Sequence, residues 1–373
     1  MGNKPVRGAG RALMTVPLAL GLALLWTVMP VSATAGWWVA APGGTPPISV
    51  IASDQGSITL AISKGAPGWY SPTSGRFSQL KLPSGLGPAV AVGASGSQGV
   101  VAFGRGQLVD VRRGGSIRQL PRVSGSPRAL ALFGHDQVLV AVATSSGLFS
   151  GRLGSPLKKT TSGSGCAVIA PPTAGRAWLA LVNGHLWRRP PGRRWTLVRS
   201  APRFARTTTA LTELSDGVVL VGEPSGLVWR GDGNAWARSF QVLPYGGLGG
   251  VPAVTALVAD GATSAYLGTD GFGTLLTPDG GYTWYRAPPP NASVSQLATV
   301  GPVFSSHTRG LVVAVSPTRL YLHRLQKLPQ PPSYSASSAV AELVGTAAVT
   351  VGSVFLATLL LWLLSRRRRR LSV

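Results

Sequence analysis

Short apolar runs separated by turn-forming residues recur along the chain from Gly36 to about Gln330. Seven runs align with one another, and each is followed by a turn that contains Gly, Ser, Asn or Pro: residues 60–63, 100–103, 140–143, 179–182, 219–222, 266–269 and 312–315. Further apolar runs flank each of them, so most units contain four short strands at a period of about 40 residues. One such unit cannot bury both of its faces, whereas a closed ring of units can. The pattern predicts an all-β, seven-bladed propeller, and the weak repeats leave six or eight blades as alternatives.

The last unit predicts only three strands, at residues 294–299, 311–315 and 320–325. At the other end of the repeats, Trp37 and Trp38 begin a short run that parallels the fourth strand of the sixth unit, near Trp284. We therefore expect this N-terminal strand to complete the last blade and to close the ring, which removes a free sheet edge. Contact of Trp37 and Trp38 with a membrane surface is the alternative.

Both ends of the chain predict export and a membrane anchor. Residues 1–35 have a basic start, an apolar run and a small-residue site, as in a secretory signal, with an uncleaved N-terminal anchor as the alternative. Residues 342–365 include an uncharged run that would span about 33 Å as a helix, enough to cross a bilayer. The five arginines of the tail 366–373 would place the C-terminus in the cytoplasm. A Pro/Ser linker, 329–341, separates this helix from the extracytoplasmic propeller, 36–328.

The composition is basic, with 35 Lys and Arg against 11 Asp and Glu and a net charge of +24. The excess persists when both termini are set aside. Two explanations are open: attraction to anionic lipid or surface polymer, felt over about 8 Å at physiological salt, or an acidic medium in which few carboxylates are needed. The arginine block adjoins the predicted membrane span, so it indicates a membrane anchor and not a nucleic-acid partner.

The stretch 277–284, Thr-Pro-Asp-Gly-Gly-Tyr-Thr-Trp, lies between two apolar runs where a hairpin must turn. Asp279 can accept hydrogen bonds from its own turn, Gly281 can adopt a positive φ, and Trp284 can bury its indole against a neighbouring sheet. The stretch resembles the Asp-box of sialidases and of non-catalytic propellers similar to photosystem-II assembly factors, with Thr277 where Ser is commoner. This resemblance implies a structural clasp on the outer hairpin of a propeller blade.

A catalytic function is the alternative, because sialidases carry Asp-boxes and use a Tyr–Glu pair, an Asp and three arginines. The chain has only Glu213, Glu223 and Glu342, and neither of the first two is evidently placed with a tyrosine. The histidines are scattered without a ligand partner at metal-binding spacing, and each is expected in a turn or on the surface: His135, His185, His307 and His323. The sequence predicts no catalytic residue, cofactor or metal site.

A propeller without chemistry usually binds partners through the loops of one face. In the resembled families the turns between second and third strands line the face opposite the Asp-boxes. Here those turns offer Lys64, Arg105, His185, Glu223, Asp270 and Arg319, with Ser145 and Asn183. We therefore expect a membrane-anchored, single-pass protein whose propeller lies outside the cell as a non-catalytic binding or assembly scaffold for a protein or an anionic surface polymer. A cell-surface, sialidase-like glycan hydrolase is the alternative.

Overall fold

The computed structural model describes residues 38–42, 45–53, 58–134, 137–169, 176–233, 235–242, 250–261, 263–287, 293–300, 311–317 and 319–324. The strands of the first half are β1 (Val39–Ala40), β2 (Ile48–Ile51), β3 (Thr59–Ser63), β4 (Ala66–Ser71), β5 (Arg76–Gln79), β6 (Ala89–Ser95), β7 (Gln98–Phe103), β8 (Leu108–Arg112), β9 (Ile117–Leu120), β10 (Pro127–Phe133), β11 (Leu139–Thr144), β12 (Gly147–Arg152) and β13 (Lys158–Ser162). Those of the second half are β14 (Gly165–Ile169), β15 (Trp178–Val182), β16 (His185–Arg189), β17 (Thr196–Leu197), β18 (Ala210–Glu213), β19 (Val219–Gly222), β20 (Leu227–Asp232), β21 (Ala235–Gln241), β22 (Val254–Ala259), β23 (Ala265–Thr269), β24 (Gly273–Thr277), β25 (Tyr285–Ala287), β26 (Gln296–Val300), β27 (Leu311–Val315) and β28 (Leu320–Arg324).

These strands form seven four-stranded antiparallel sheets, which are the blades of the ring. Blades 1 to 6 each use four consecutive strands, beginning with β2, β6, β10, β14, β18 and β22. Blade 7 combines β26, β27 and β28 with the N-terminal strand β1. The predicted all-β, seven-bladed propeller is thus confirmed, and the alternatives of six or eight blades are wrong.

The apolar side chains are buried between blades. Each pair of neighbouring blades encloses one hydrophobic cluster, and the seven clusters include one between blades 7 and 1. Second strands such as β3, β15 and β23 are buried along their whole length because a neighbouring blade covers each of their faces. This is why their sequences read as continuous apolar runs, as in any sheet that is buried on both sides.

Ring closure relies on contacts between chain ends. Strand β1 pairs with β28 through Val39–Leu322 and Ala40–Tyr321. Between blades 7 and 1, the side-chain amide of Gln296 donates to the carbonyl oxygen of Ile51 at 2.8 Å and accepts from the Ile51 N–H at 2.9 Å. An N-terminal strand therefore completes the last blade, and Gln296 ties the innermost strands of the first and last blades together.

Trp38 is buried between blades 6 and 7, with its ring 5.9 Å from that of Tyr266. Trp37 lies outside the described residues, as do the signal segment 1–35, the linker 329–341, the helix 342–365 and the tail 366–373. Among the described residues, no helix has the length and apolar character needed to span a bilayer. The predicted signal and anchor remain predictions.

Candidate binding face

The order of strands divides the turns between two faces of the ring. The first strands of neighbouring blades contact one another, so they line the axis, and the fourth strands lie outermost. Turns between second and third strands lie on the same face of the ring as the connections from one blade to the next. We call this face the connection face. Turns between first and second strands, and turns between third and fourth strands, lie on the opposite face, which we call the clasp face.

The connection face gathers the residues that the sequence predicted for binding. Five of them lie in turns between second and third strands: Lys64, Arg105, Glu223, Asp270 and Arg319. His185 is the first residue of β16, directly after such a turn, and it is exposed. The structure brings these residues to one face of the ring, while their role in binding stays a prediction.

The two acidic residues of this group have local structural partners. The Glu223 carboxylate accepts from the Ala205 N–H at 3.0 Å and from the Ser225 hydroxyl at 3.3 Å. Asp270 accepts from the hydroxyl of Ser293 at 2.5 Å. Ala205 and Ser293 belong to connections between blades. Each carboxylate therefore bonds one such connection to the turn between second and third strands that contains the carboxylate.

The basic side chains of the connection face are more numerous than the sequence prediction suggested. The exposed ones in turns, in connections and at the start of an inner strand are Lys64, Lys81, Arg105, Arg122, Arg128, Arg199, Arg203, Arg206 and Arg319. Within the described chain, no carboxylate lies within ion-pairing distance of any of these nine, because both ion pairs, Arg118–Asp110 and Arg230–Asp232, lie elsewhere. The face therefore presents a net positive charge to solvent.

Two turns on this face hold a residue other than glycine at positive φ. Lys64 has φ 50° and Asn183 has φ 52°, and a glycine follows each of them. Asparagine adopts this left-handed conformation readily, whereas lysine has no side chain that favours it. The Asn183 carboxamide oxygen also accepts from the Ser164 N–H at 2.8 Å, which gives that residue a structural task.

The clasp face carries the hairpin turn at Asp279. One carboxylate oxygen accepts from the hydroxyl of Thr277 at 2.9 Å and from the N–H groups of Tyr282 at 3.0 Å and Thr283 at 2.9 Å. Partial burial raises the pKa of Asp279, but the hydrogen bonds from Thr283, Thr277 and Tyr282 outweigh it and hold the pKa below its usual value. The turn is therefore organised around a charged carboxylate.

Trp284 immediately precedes β25 and ties this turn to the preceding blade, donating from Nε1 to the Ser239 hydroxyl at 3.1 Å. The eroded copy of the turn in blade 4 behaves alike, since Trp195 Nε1 donates to the Ser150 hydroxyl of blade 3 at 3.1 Å. A tryptophan that closes an outer hairpin and bonds the neighbouring blade thus persists even where the aspartate is absent.

Two carboxylates lie toward the clasp face: Glu213 is buried, and Asp260 is half-buried with one carboxylate oxygen shielded from solvent. Burial raises the pKa of Glu213 to about 7, with Arg188 and Arg176 acting in the opposite direction. Burial likewise raises the pKa of Asp260 to about 6, while a hydrogen bond with Ser264 opposes the shift. Sequence reasoning considered Glu213 and missed Asp260, because neither burial nor contact between blades is visible in a local pattern.

These carboxylates do not reproduce a sialidase-like centre within the described chain. The charged groups that act on Glu213 are two arginines and Asp216, with no tyrosine among them. Tyr266 lies near Asp260 instead, and burial raises its pKa far above the usual value. With 3% of its surface exposed, the Tyr266 side chain is out of reach of a substrate.

His323 corrects one expectation from the sequence, which placed each histidine in a turn or on the surface. It is buried in β28, with its ring 5.3 Å from those of Trp38 and Tyr266. The interface between blades 6 and 7 closes around these three rings, so the packing of aromatic surface decides the position of His323. His135 and His307 lie outside the described residues. No group of three or more potential metal ligands occurs in the described chain.

Comparison with known proteins identifies the fold alone. No family model matches the chain, and no curated protein matches it. Among solved structures, YCF48 bound to D1 peptide has a TM-score of 0.58 and 14% identity, over 78% of this chain and 98% of that one. U3-55K has a TM-score of 0.60 and 13% identity, over 77% and 98%. Virginiamycin B lyase from Staphylococcus aureus has a TM-score of 0.58 and 10% identity, over 78% and 98%.

Proposed function

We propose that the protein is a non-catalytic binding or assembly scaffold that holds an anionic partner against its connection face. The observation that carries this proposal is the set of nine exposed basic residues on that face without a carboxylate at ion-pairing distance in the described chain. Such a surface attracts a negatively charged partner and speeds its association. The face carries only two acidic residues among those that the structure describes there, Glu223 and Asp270, so its net charge stays positive.

The proposal includes the placement that the chain ends predict. Residues 1–35 export the chain, residues 342–365 anchor it in the membrane, and the propeller lies outside with the C-terminus in the cytoplasm. The partner is a protein or an anionic surface polymer. One solved propeller of this fold, YCF48, has a bound peptide, which supports a protein partner.

We further propose that residues 277–284 form an Asp-box. The support is its geometry: Asp279 organises the turn, and Trp284 bonds the preceding blade. In this role the stretch stabilises an outer hairpin and takes no part in binding. The connection face on the other side of the ring is thereby left for the partner.

Affinity purification of the full-length chain from gently solubilised native membranes tests the scaffold, with proteins, glycans and lipids all identified in the eluate. The test variant is Arg203→Glu with Arg206→Glu, in the connection that follows blade 4. The matched control is Arg193→Glu with Arg194→Glu, which makes the same change of charge at exposed positions on the clasp face of the same blade.

We expect the first pair of substitutions to remove a stoichiometric partner and the second pair to retain it. We also expect the association to weaken as salt rises, because exposed charges are screened. Recovery of no partner by the wild-type chain, or equal loss in both double variants, would overturn the proposal.

A further inference from the structure

We propose that a cleft between blades 1 and 2 on the connection face binds an extended polypeptide segment that carries a carboxylate next to an apolar side chain. This inference rests on the scaffold function and assigns to it a site and a class of partner. The cleft lies along residues 80–88, which connect β5 of blade 1 to β6 of blade 2.

The cleft has a volume of about 850 Å³ and an apolar floor beneath a basic rim. Leu86 and Phe103 line it and are buried in the cluster between blades 1 and 2, against which Leu80 and Leu82 also pack. An apolar side chain inserted here would therefore extend an existing core and remove apolar surface from water.

The backbone of the connection makes few hydrogen bonds within the described chain. Its ends are fixed by the Leu80 N–H, which donates to the Pro67 carbonyl at 3.0 Å, and by the Ala89 N–H, which donates to the Gly65 carbonyl at 2.9 Å. Between them, Pro83 has no N–H, and six N–H groups have no hydrogen-bond acceptor in the described chain: those of Lys81, Leu82, Ser84, Gly85, Leu86 and Gly87. Backbone groups of this kind commonly pair with the main chain of an extended peptide.

Two glycines keep this backbone accessible. Gly85 and Gly87 have φ values of 86° and 74°, and a Cβ at either position would meet nothing within 4 Å. The positive φ values explain why glycine is needed there, and the open space around both residues leaves room for another chain to approach.

Lys64 and Lys81 are both exposed on the lining of the cleft, which contains no Asp or Glu. Lys64 occupies a left-handed position where the equivalent turn of blade 4 has Asn183. A residue other than Gly, Asn or Asp seldom adopts this conformation, because its Cβ comes too close to the following carbonyl oxygen. The turn itself gains nothing from lysine, so we assign the side chain a role in holding an anion at the rim.

The combination favours a polypeptide over a uniformly charged polymer. Two cations attract carboxylates, but the apolar floor would remain unfilled beneath a polymer that carries charge on every unit. A peptide supplies an apolar side chain for the floor, a neighbouring carboxylate for the rim and carbonyl groups for the N–H groups of residues 81–87. Only this class of partner satisfies all three features.

The test measures binding of the purified full-length chain to an array of short, end-blocked synthetic peptides. The peptides fall into four classes: acidic with apolar residues, acidic alone, apolar alone, and neutral polar. The test variant is Lys64→Asn with Lys81→Gln. The control is Lys158→Gln with Lys159→Gln, which removes the same charge from two exposed lysines of the outer strand β13, away from the cleft and from the connection face.

We expect acidic peptides with apolar residues to bind best, and the test variant to bind them about tenfold more weakly, the equivalent of about 1.4 kcal/mol. The control should change binding by less than about twofold, because an exposed charge outside the site acts only at long range. Lys64→Asn alone should unfold at the same or a higher temperature than the wild type, because asparagine suits the left-handed turn. If Lys64→Asn is as stable as the wild type and binds the peptides more weakly, the weaker binding comes from the lost lysine side chain and not from unfolding.

Three results would overturn the proposed peptide site in the cleft and leave the scaffold function standing. They are equal binding of purely acidic peptides, equal weakening by Lys158→Gln with Lys159→Gln, or no peptide binding by a chain whose native partner still depends on Arg203 and Arg206. Failure of the native purification to yield a partner would instead overturn the scaffold function itself.

Discussion

At the scale of single residues, Asp279 shows how one carboxylate can fix a hairpin. It accepts hydrogen bonds from residues before and after it in the turn, so the turn is closed by its own side chains. Gly280 and Gly281 both have positive φ, which lets the backbone turn toward the carboxylate. Because every partner lies within five residues, this arrangement could be predicted from the sequence alone.

We predict that Asp279→Ala lowers the free energy of unfolding by about 2 kcal/mol, because several hydrogen bonds of about 0.5–1.5 kcal/mol each are lost. Asp279→Asn keeps a side-chain oxygen as acceptor and should cost less. The folded-state pKa is lowered, so the charge stabilises the fold above the ordinary pKa of aspartate and ceases to do so as the pH falls through the folded value. Urea unfolding at neutral and acid pH measures this, and equal stabilities of all three proteins at neutral pH would contradict it.

At the scale of elements, the blades are joined by a few specific side chains as well as by apolar packing. Gln296, at the start of β26, bonds to Ile51 of β2 as a neighbouring strand would. Its side-chain amide both donates to the Ile51 carbonyl and accepts from the Ile51 N–H. Thr299 extends this junction, with its N–H donating to the Ser53 hydroxyl at 3.2 Å. These contacts join strands that are at opposite ends of the chain.

We predict that Gln296→Ala lowers the free energy of unfolding by about 1–3 kcal/mol through the loss of two hydrogen bonds. Gln296→Glu should also destabilise the ring, because a carboxylate can accept from the Ile51 N–H but cannot donate to its carbonyl. Gln119→Ala, at an exposed position on the outer strand β9, is the matched control and should change little. Denaturant unfolding measures all three, and a neutral Gln296→Ala would show that apolar packing alone closes the ring.

At the scale of the whole molecule, seven clusters between blades form a closed ring whose described carboxylates are few. Two of them, Glu213 and Asp260, are held where burial favours the neutral form. The basic excess has two explanations, an anionic partner and an acidic medium. Glu213 and Asp260 are relevant to the explanation by an acidic medium, because their raised pKa values make the stability of the fold depend on pH.

We predict that the protein loses stability as the pH rises from about 5 to about 8. The pKa of Glu213 is raised from 4.5 to about 7 and that of Asp260 from 3.8 to about 6. Each group therefore stabilises the fold fully below its ordinary pKa, and this contribution is lost as the pH rises through the folded value. For Glu213 the loss is on the order of 3 kcal/mol, because each tenfold change in proton affinity corresponds to about 1.4 kcal/mol.

Thermal unfolding across this pH range measures the effect. Glu213→Gln should reduce the fall of the unfolding temperature with pH, because the glutamine amide does not titrate. Glu223→Gln is the control, because Glu223 lies on the connection face and is only half-buried. A wild-type stability that does not fall between about pH 6 and about pH 8, or a slope unchanged by Glu213→Gln, would contradict the prediction.

Most of the fold was determined by the sequence itself. The seven aligned runs correspond to the second strands of the seven blades. The residues predicted for binding, which follow these runs, lie on one face, five of them in turns and His185 at the start of β16. This succeeds because the repeat is local: each blade has the same strand order, so a position within the unit fixes the face on which it lies. The last unit has only three predicted strands, and this likewise predicted closure of the ring by an N-terminal strand.

The tertiary structure decided what depends on neighbours between blades and on the connections, which do not repeat. Lys81, Arg203 and Arg206 lie in connections of different lengths and have no equivalents to align, so the cleft and much of the basic face could not be predicted. The burial of His323, the neutral state favoured for Glu213 and Asp260, and the bond from Gln296 to Ile51 arise only when the ring closes. Periodic sequence encodes the blade, whereas contacts between residues far apart in the chain exist only after the blades have packed.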